Sequence, residues 1–169
     1  MKKRNRLDPN EIVIYKDYAE IILYDKNNNE KARAIIDIDD INKVKVYKWG
    51  LSGGGYARNE THRLFLHRLI TNCPEGMIVD HINRNRLDNR KSNLRIVNDE
   101  QNSLNQGLKS NNTSGYKGVS WNKRRNKWEV YINVNKKRIK LGYYDDLEEA
   151  IKVRKEAEIK YHGEYRRLE

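Results

Sequence analysis

Cysteine and long apolar runs are nearly missing from this sequence. The 169 residues include a single cysteine, Cys73, which excludes an internal disulfide framework and zinc sites built from paired cysteines. No apolar run approaches the length of a membrane span, and no hydrophobic signal segment follows the basic start of the chain. We therefore expect a soluble, intracellular (cytoplasmic) protein without structural zinc and without a membrane partner.

Hydrophobic residues are few and positive charge is concentrated. Hydrophobic residues make up 37% of the chain and charged residues 35%, so any core is modest. Residues 109–144 carry ten lysines and arginines against one acid, Glu129, and so hold +9 of a net charge of +11. A solvated basic surface would lack aromatic residues, but this segment contains six tyrosines and tryptophans. The pattern indicates a folded basic module whose expected partner is nucleic acid.

The central stretch, residues 77–106, alternates short apolar runs with polar junctions. Its apolar runs are residues 77–79 and 94–97. The first run leads directly into Asp80 and His81, and an Asn/Arg-rich loop follows. An Asn-x-x-Gln capping box comes after the second run and predicts the start of a helix. The stretch therefore predicts strand, loop, strand and helix, with polar groups at the junctions where functional residues are usually held.

These residues resemble the motif of HNH endonucleases, which have a ββα-metal core. The resemblance lies in Asp80-His81, in Asn93 before the second apolar run and in Asn102 on the predicted helix. It implies one divalent metal ion, a histidine general base and hydrolysis of a DNA phosphodiester. Asp80 and Asn102 would be the metal ligands. His81 would be the catalytic base, and Asn93 would orient its imidazole.

The residue types suit this chemistry in their own right. Histidine has an unperturbed pKa near neutral pH, as a general base requires. Mg²⁺ takes hard oxygen ligands and keeps several waters, so one carboxylate and one amide are enough, and Mn²⁺ accepts the same ligands. Neighbouring strand residues point to opposite faces, so Asp80 and His81 can serve one phosphate only if the strand ends there. An isolated Asp-His pair beside a turn is more often turn chemistry, and the joint motif favours the nuclease.

The stretch before the motif predicts a small antiparallel sheet that braces the nuclease core, with a hairpin turn at residues 25–29. His67 and Arg68 allow two interpretations. They lie near the scissile phosphate, with Arg68 as a transition-state clamp, or they are a packed histidine and a surface arginine on a strand. We favour packing for His67. The expected organisation is a basic arm at 1–10, an HNH nuclease domain with an N-terminal β-sheet extension at 11–106, a linker at 107–114 and a DNA-binding domain at 115–169.

The C-terminal part predicts three strands and a helix. The strands are expected at residues 116–121, 127–134 and 137–144, and Asp146 has the position of a helix N-cap. Alternating apolar positions on the second and third strands predict one sheet face that packs on the helix. The opposite face is polar and basic, and such a face can lie in the major groove of DNA.

This part is similar to the plant ethylene-response-factor (APETALA-type) DNA-binding domain, which also accompanies HNH nucleases in phages. The similarity rests on residues 116–119, Lys127-Trp128, Leu141-Gly142 and Ala150. It implies base or backbone contacts by seven residues: Lys117, Ser120, Asn122, Tyr131, Asn133, Arg138 and Lys140. Four of these positions are usually Arg or Trp in the plant domains: Ser120, Asn122, Asn133 and Lys140. We therefore expect the docking geometry to persist and the plant target sequence to differ.

Taken together, the sequence predicts an α+β protein. An N-terminal antiparallel sheet leads into a ββα-metal HNH core, and a separate three-stranded antiparallel sheet packs on one helix. The predicted function is a metal-dependent endonuclease of homing or mobile-element type, acting as a monomer that nicks double-stranded DNA with Mg²⁺ or Mn²⁺. Two alternatives stay open: a DNA-binding regulator with a vestigial nuclease core, and a restriction or toxin-type nuclease with little sequence preference.

Overall fold

A computed structural model describes residues 8–108 and 110–166 of the chain. It has several small antiparallel sheets and few helices, which confirms the predicted α+β class. Two compact units divide the chain, the first ending at Asn98 and the second beginning at Asp99. Within the described residues, every helix is too short or too polar to cross a membrane.

The first unit begins with a three-stranded antiparallel meander. Its strands are β1 (Ile12–Ile14), β2 (Ala19–Tyr24) and β3 (Glu30–Ile36), with β2 in the centre. The predicted hairpin turn joins β2 to β3, where the carboxylate of Asp25 accepts hydrogen bonds from the backbone N–H groups of Asn27 and Asn29 at 2.8 and 2.9 Å. This side chain–backbone pattern is the usual reason that Asp initiates turns.

Short elements follow the meander. After a 3₁₀ turn (Ile38–Asp40) they are α1 (Ile41–Val44), β4 (Gly50–Leu51), β5 (Ala57–Asn59), β6 (Leu64–Phe65) and α2 (Leu66–Thr71). Strands β4, β5 and β6 form a second antiparallel sheet in that order. The prediction that His67 and Arg68 lie on a strand was wrong, because the chain turns into α2 directly after Phe65. Asn72, in the left-handed conformation, ends that helix.

Trp49 lies at the centre of the first unit's core and is 2% exposed. Its indole N–H donates to the carbonyl of Val44 at 3.0 Å. The side chain of Asn10 binds both backbone groups of Trp49 and donates to the carbonyl of Ile22 at 2.7 Å. Asn10 therefore belongs to the folded unit rather than to a loose arm. Residues 1–7 of the predicted arm lie outside the described residues.

The predicted hairpin of the central stretch consists of β7 (Ile78–His81) and β8 (Leu94–Val97). In the antiparallel register Asp80 faces Arg95 and His81 faces Leu94. The loop between the strands is fastened to the meander. There the backbone of Ile35 accepts from Asn89 and donates to the carbonyl of residue 87, each at 2.8 Å.

The second unit contains two helices and one sheet. Its elements are α3 (Asp99–Asn105), β9 (Val119–Asn122), β10 (Lys127–Val134), β11 (Lys137–Tyr144) and α4 (Leu147–His162). The sheet is antiparallel with β10 in the centre, and α4 packs on it around the buried side chains of Val130 and Ala150. The predicted N-cap of α4 is confirmed, since Asp146 accepts from the N–H of Glu149 at 2.8 Å.

Helix α3 is fastened to the rest of the second unit by two hydrogen bonds. The ammonium of Lys117 donates to the carbonyl of Ser103 at 2.7 Å, and the N–H of Lys136 donates to the carboxylate of Glu100 at 3.1 Å. The helix is therefore grouped with the sheet, whereas the sequence placed it at the end of the nuclease domain. Those domain boundaries stay a prediction.

Candidate active site

Asp80 lies at the end of β7 and is 8% exposed. Arg95, directly opposite on β8, donates to its Oδ2 from Nε at 2.9 Å and from Nη2 at 2.7 Å. A charge-assisted pair of this kind is short and directional. It holds the carboxylate in a fixed orientation and offsets part of its negative charge.

His81 is the last residue of β7 and is 5% exposed. Its ring lies 5.2 Å from that of His67 and 5.9 Å from that of Tyr56. Burial lowers the pKa of His81, whereas the Asn89 side chain and the charges of Asp80 and Asp88 act in the opposite direction. The ring is therefore neutral at neutral pH and able to accept a proton, as a general base requires.

Asn93 closes the loop that follows His81. Its Nδ2 donates to the carbonyl of Asp88 at 2.8 Å, and its Oδ1 accepts from the N–H of Asn83 at 2.9 Å. These bonds join the two ends of the loop, so any influence on the imidazole passes through the backbone. The prediction that Asn93 orients His81 stays a prediction.

Asp88 and Asn89 are two buried residues of this loop that the sequence did not single out for the site. Asp88 accepts from Arg90 at 2.7 and 2.8 Å and from Asn83 at 3.0 Å. The hydrogen bond from Arg90 is the main cause of the lowered pKa of Asp88. Asn89 is completely buried, and its side chain acts to raise the pKa of His81. The only signal in the sequence was their position in the polar loop after the Asp-His pair.

His67 lies in the first turn of α2 and is 8% exposed. Its ring stacks on Phe65 at 5.4 Å and contacts the rings of Tyr56 and His81 at 5.2 Å each. Burial, followed by the charges of His81 and Arg68, lowers the pKa of His67 to about 3. His67 is therefore a neutral, packed ring beside the candidate base.

Arg68 braces the segment that leads into β7. Its guanidinium donates to the carbonyls of Met77, Cys73 and Pro74 at 2.8, 3.3 and 3.0 Å. These three carbonyls lie beyond the end of α2, so the guanidinium joins the helix to the segment before β7. Arg68 is engaged in this bracing and does not lie on a surface strand.

Tyr56 forms a wall of the histidine cluster and was not predicted as a site residue. Arg86 also contacts the ring of Tyr56, with its guanidinium carbon 4.9 Å from the ring centroid. The Nη1 of Arg86 donates to the carbonyl of Gly54 at 2.6 Å. The glycine-rich turn before Tyr56 was visible in the sequence. Its contact with the histidines was not, because they lie far along the chain.

Asn102, the second predicted metal ligand, lies on α3 in the second unit. Its pairing with Asp80 stays a prediction. In the described parts of the chain, no three His, Cys, Asp or Glu side chains cluster as a metal site would require. One carboxylate and one amide suit a hard cation that takes its other ligands from water and phosphate, as Mg²⁺ does.

The predicted DNA-contacting residues of the second unit have different environments. Arg138 lies over Tyr131 at 4.0 Å and Lys140 over Tyr143 at 3.8 Å, and both cations are exposed. Asn122 donates to the carboxylate of Glu129 at 3.1 Å. Ser120 and Asn133 are exposed, and the ammonium of Lys117 donates a hydrogen bond to α3. The sheet thus presents ordered cations on aromatic supports.

Comparisons with known proteins agree with the motif. Residues 61–104 match the family model described as HNH endonuclease. An uncharacterised HNH endonuclease of Acanthamoeba polyphaga mimivirus is 36% identical over 97 residues, which cover 53% of this chain and 51% of that protein. Protein 3.8 of Escherichia phage T7 is 37% identical over 75 residues, which cover 44% of this chain and 62% of that protein.

The chain thus spans only about half of the first of these relatives. No solved structure matches it significantly. The matched segment contains both strands of the β7–β8 hairpin and all four motif residues: Asp80, His81, Asn93 and Asn102. Residues 61–104 therefore match an HNH endonuclease domain.

Proposed function

We propose that this chain is a metal-dependent DNA endonuclease in which His81 is the general base. The observation that carries the proposal is the state of His81. Its imidazole is buried and neutral, and it follows directly on a carboxylate inside the segment that matches the HNH model. Phosphodiester hydrolysis needs a base of this kind. It also needs a group that stabilises the negative charge that develops on the phosphate oxygens.

Asp80 and Asn102 are the residues that would hold the metal. Their oxygen atoms suit Mg²⁺ or Mn²⁺. When bound, the ion supplies positive charge for the phosphate oxygens of the transition state. Arg95 keeps the Asp80 carboxylate oriented. This ligand pair rests on the resemblance to the family and on the donor types.

His81 accepts the proton of the attacking water. Burial disfavours the resulting imidazolium, and neighbouring polar groups offset part of that cost. Asn89 and Asp80 both favour the protonated ring. Tyr56 and His67 limit its rotation by contact at 5.9 and 5.2 Å. A fixed ring lowers the entropic cost of reaching the reactive geometry.

The second unit is proposed to bind double-stranded DNA in the manner of the ethylene-response-factor domain. Its support is the concentration of +9 on residues 109–144 and the exposed cations Arg138 and Lys140. Site recognition by an added module is typical of homing or mobile-element nucleases. One catalytic centre on a monomer would nick one strand in each event.

The test is incubation of the full chain with supercoiled plasmid, with Mg²⁺ and with a chelator. Nicked plasmid that forms only with the divalent ion is the expected result. The same gel distinguishes nicking from linearisation. A chain that binds the plasmid and leaves it supercoiled under both conditions refutes the nuclease.

A DNA-binding regulator with a vestigial nuclease core is the second candidate. The observation that favours it is the Asp80–Arg95 pair, because an arginine bonded twice to one carboxylate oxygen competes with a cation for that oxygen. This candidate predicts tight binding without divalent-dependent nicking. Replacing Arg95 by Gln separates the two, since it leaves a regulator's DNA affinity unchanged but alters the divalent-ion concentration that a nuclease needs.

A further inference from the structure

The second unit contains a cavity of about 520 Å³. It is lined by residues of α3 and the segment after it, by β9 and β10, and by two side chains of α4, Arg154 and His162. This volume is in the range of small-molecule sites. Three lining side chains are cationic (Lys117, Arg138 and Arg154), and none of the described lining residues is acidic. The cavity therefore suits an anionic ligand.

Arg154 is the most unusual member of the lining. It is only 3% exposed, and its Nε has no hydrogen-bond partner among the described residues. Its Nη1 pairs with Glu158 at 2.8 Å, and the same carboxylate accepts from the hydroxyl of Tyr116 at 2.9 Å. Buried arginine N–H groups are normally satisfied. Arg154 is thus a buried cation among the residues that line the cavity, and an anion bound there would supply a further counter-charge.

Gly118 allows the Arg154 side chain to pack closely against the sheet. This residue has φ +80°, and a Cβ built on it would lie 2.5 Å from both the Nε of Arg154 and the carbonyl of Tyr131. Any larger side chain would therefore collide with the guanidinium at the wall. The absence of a side chain at Gly118 therefore allows Arg154 of α4 to pack against the sheet backbone, and both residues line the cavity.

The other polar groups of the lining suit a nucleotide better than a bare anion. Lys117 and Arg138 lie on the lining with Tyr131, whose ring is stacked under Arg138 at 4.0 Å. Amide and hydroxyl side chains complete the surface: Asn111, Asn112, Thr113, Ser120 and Asn133. Such groups can donate to and accept from a base edge, while the cations meet a phosphate.

We propose that this cavity binds one nucleotide unit of a DNA strand, with its phosphate against Arg154, Lys117 and Arg138. The inference rests on the proposed function, because DNA is the partner that would supply the nucleotide. Ser103, a lining residue, directly follows Asn102 on α3. A bound nucleotide would therefore lie next to the helix that carries a predicted metal ligand.

The experiment is a calorimetric titration of the full chain with deoxyadenosine 5′-monophosphate, deoxyadenosine and inorganic phosphate as separate probes. We expect the monophosphate to bind at least tenfold more tightly than either part alone. A short DNA duplex should displace it. Failure of the monophosphate to bind overturns the proposal, and so does a bound monophosphate that duplex DNA does not displace, because the site would then take free nucleotides.

Two variants locate the site. Arg154→Met with Glu158→Gln removes the cation and its counter-charge together, and Ser120→Tyr fills the cavity from its exposed strand. Each should weaken monophosphate binding at least tenfold, with an unfolding temperature measured for both. Arg124→Met is the matched control, because Arg124 is an exposed cation of the same unit that does not line the cavity. Unchanged binding in the folded Ser120→Tyr variant refutes the location.

Failure of this proposal and failure of the nuclease can be told apart. A chain that nicks plasmid with Mg²⁺ and binds no monophosphate keeps its proposed function and loses the pocket. A chain that binds the monophosphate in this cavity and never nicks DNA keeps the pocket and loses the nuclease.

Discussion

The residues proposed to act in the two units have different aromatic surroundings. In the first unit, rings surround and bury two histidines, His67 and His81, and burial lowers the pKa of both. In the second unit, the rings of Tyr131 and Tyr143 support cations that stay exposed. The difference suits the two proposed roles, in which desolvation keeps a base neutral in one region and fixed surface charge attracts a polyanion in the other. We therefore expect the properties of the first unit to depend on pH and the DNA affinity of the second unit to depend on salt.

The largest expected effect comes from removing the candidate base. His81→Ala should lower the single-turnover cleavage rate by roughly a hundredfold to ten-thousandfold, the usual contribution of general base catalysis. DNA affinity should change little, because the proposed binding face belongs to the other unit. His62→Ala is the matched control, since His62 is an exposed histidine of the same HNH domain. A His81→Ala protein that cleaves at the wild-type rate would show that the buried histidine of the first unit is not the base.

Acid sensitivity is the next largest effect. The pKa of His67 is lowered to about 3 in the folded protein, below the ordinary value near 6.5 of an unfolded chain. The neutral ring is favoured by folding, so its stabilisation is complete above about pH 6.5 and is lost as the pH falls towards 3. The free energy of unfolding should lose about 2 kcal/mol from this group between neutral pH and about pH 5.

His67→Phe tests this prediction. The replacement keeps the ring contacts, and it removes a buried Nδ1 that has no hydrogen-bond partner among the described residues. Urea unfolding at several pH values should show a flatter pH dependence in this variant. The exposed His62→Gln variant should keep the wild-type slope. Equal slopes for all three proteins would mean that His67 is not desolvated.

The salt dependence of DNA affinity tests the role proposed for the exposed cations of the second unit. Replacing Arg138 and Lys140 together by Gln should weaken duplex binding about tenfold near physiological salt. It should also reduce the slope of log affinity against log salt by about 1.8, or about 0.9 for each lost phosphate contact. Lys152→Gln is the control, because Lys152 is exposed on α4 and not on the sheet. An unchanged slope would place the DNA-binding face elsewhere.

Local sequence patterns predicted the strands whose bounds are set by side-chain alternation and by tight turns. Strands β10 and β11 have the predicted bounds because alternation and a tight turn define them, and Asn135 and Lys136 in that turn both have positive φ. Strand β9 starts later than predicted, because Gly118 with φ +80° interrupts the extended chain before it. Helix α2 was missed because it is six residues long and has no side-chain cap.

The candidate site was predictable only in its motif residues. Asp80 and His81 were singled out because they form part of a joint motif with Asn93 and Asn102, whereas an Asp-His pair alone would indicate only a turn. Tyr56 and His67 complete the ring cluster from elements that are distant along the chain, so no local pattern connects them to His81. Asn89 lies in a loop rich in asparagine, where residue type does not distinguish the one that affects the pKa of His81.

The smallest expected effect concerns Asn89, and it tests whether the first region is tuned beyond burial. Asn89 raises the pKa of His81 against the lowering by burial. Asn89→Ser should therefore lower that pKa further, and the acid limb of the cleavage rate should move to lower pH by less than about one unit. Asn93→Ser is the informative comparison, because Asn93 bonds loop backbone and should reduce stability without moving the limb. If both variants move the limb equally, the loop as a whole sets the state of the base, and Asn89 has no separate part in it.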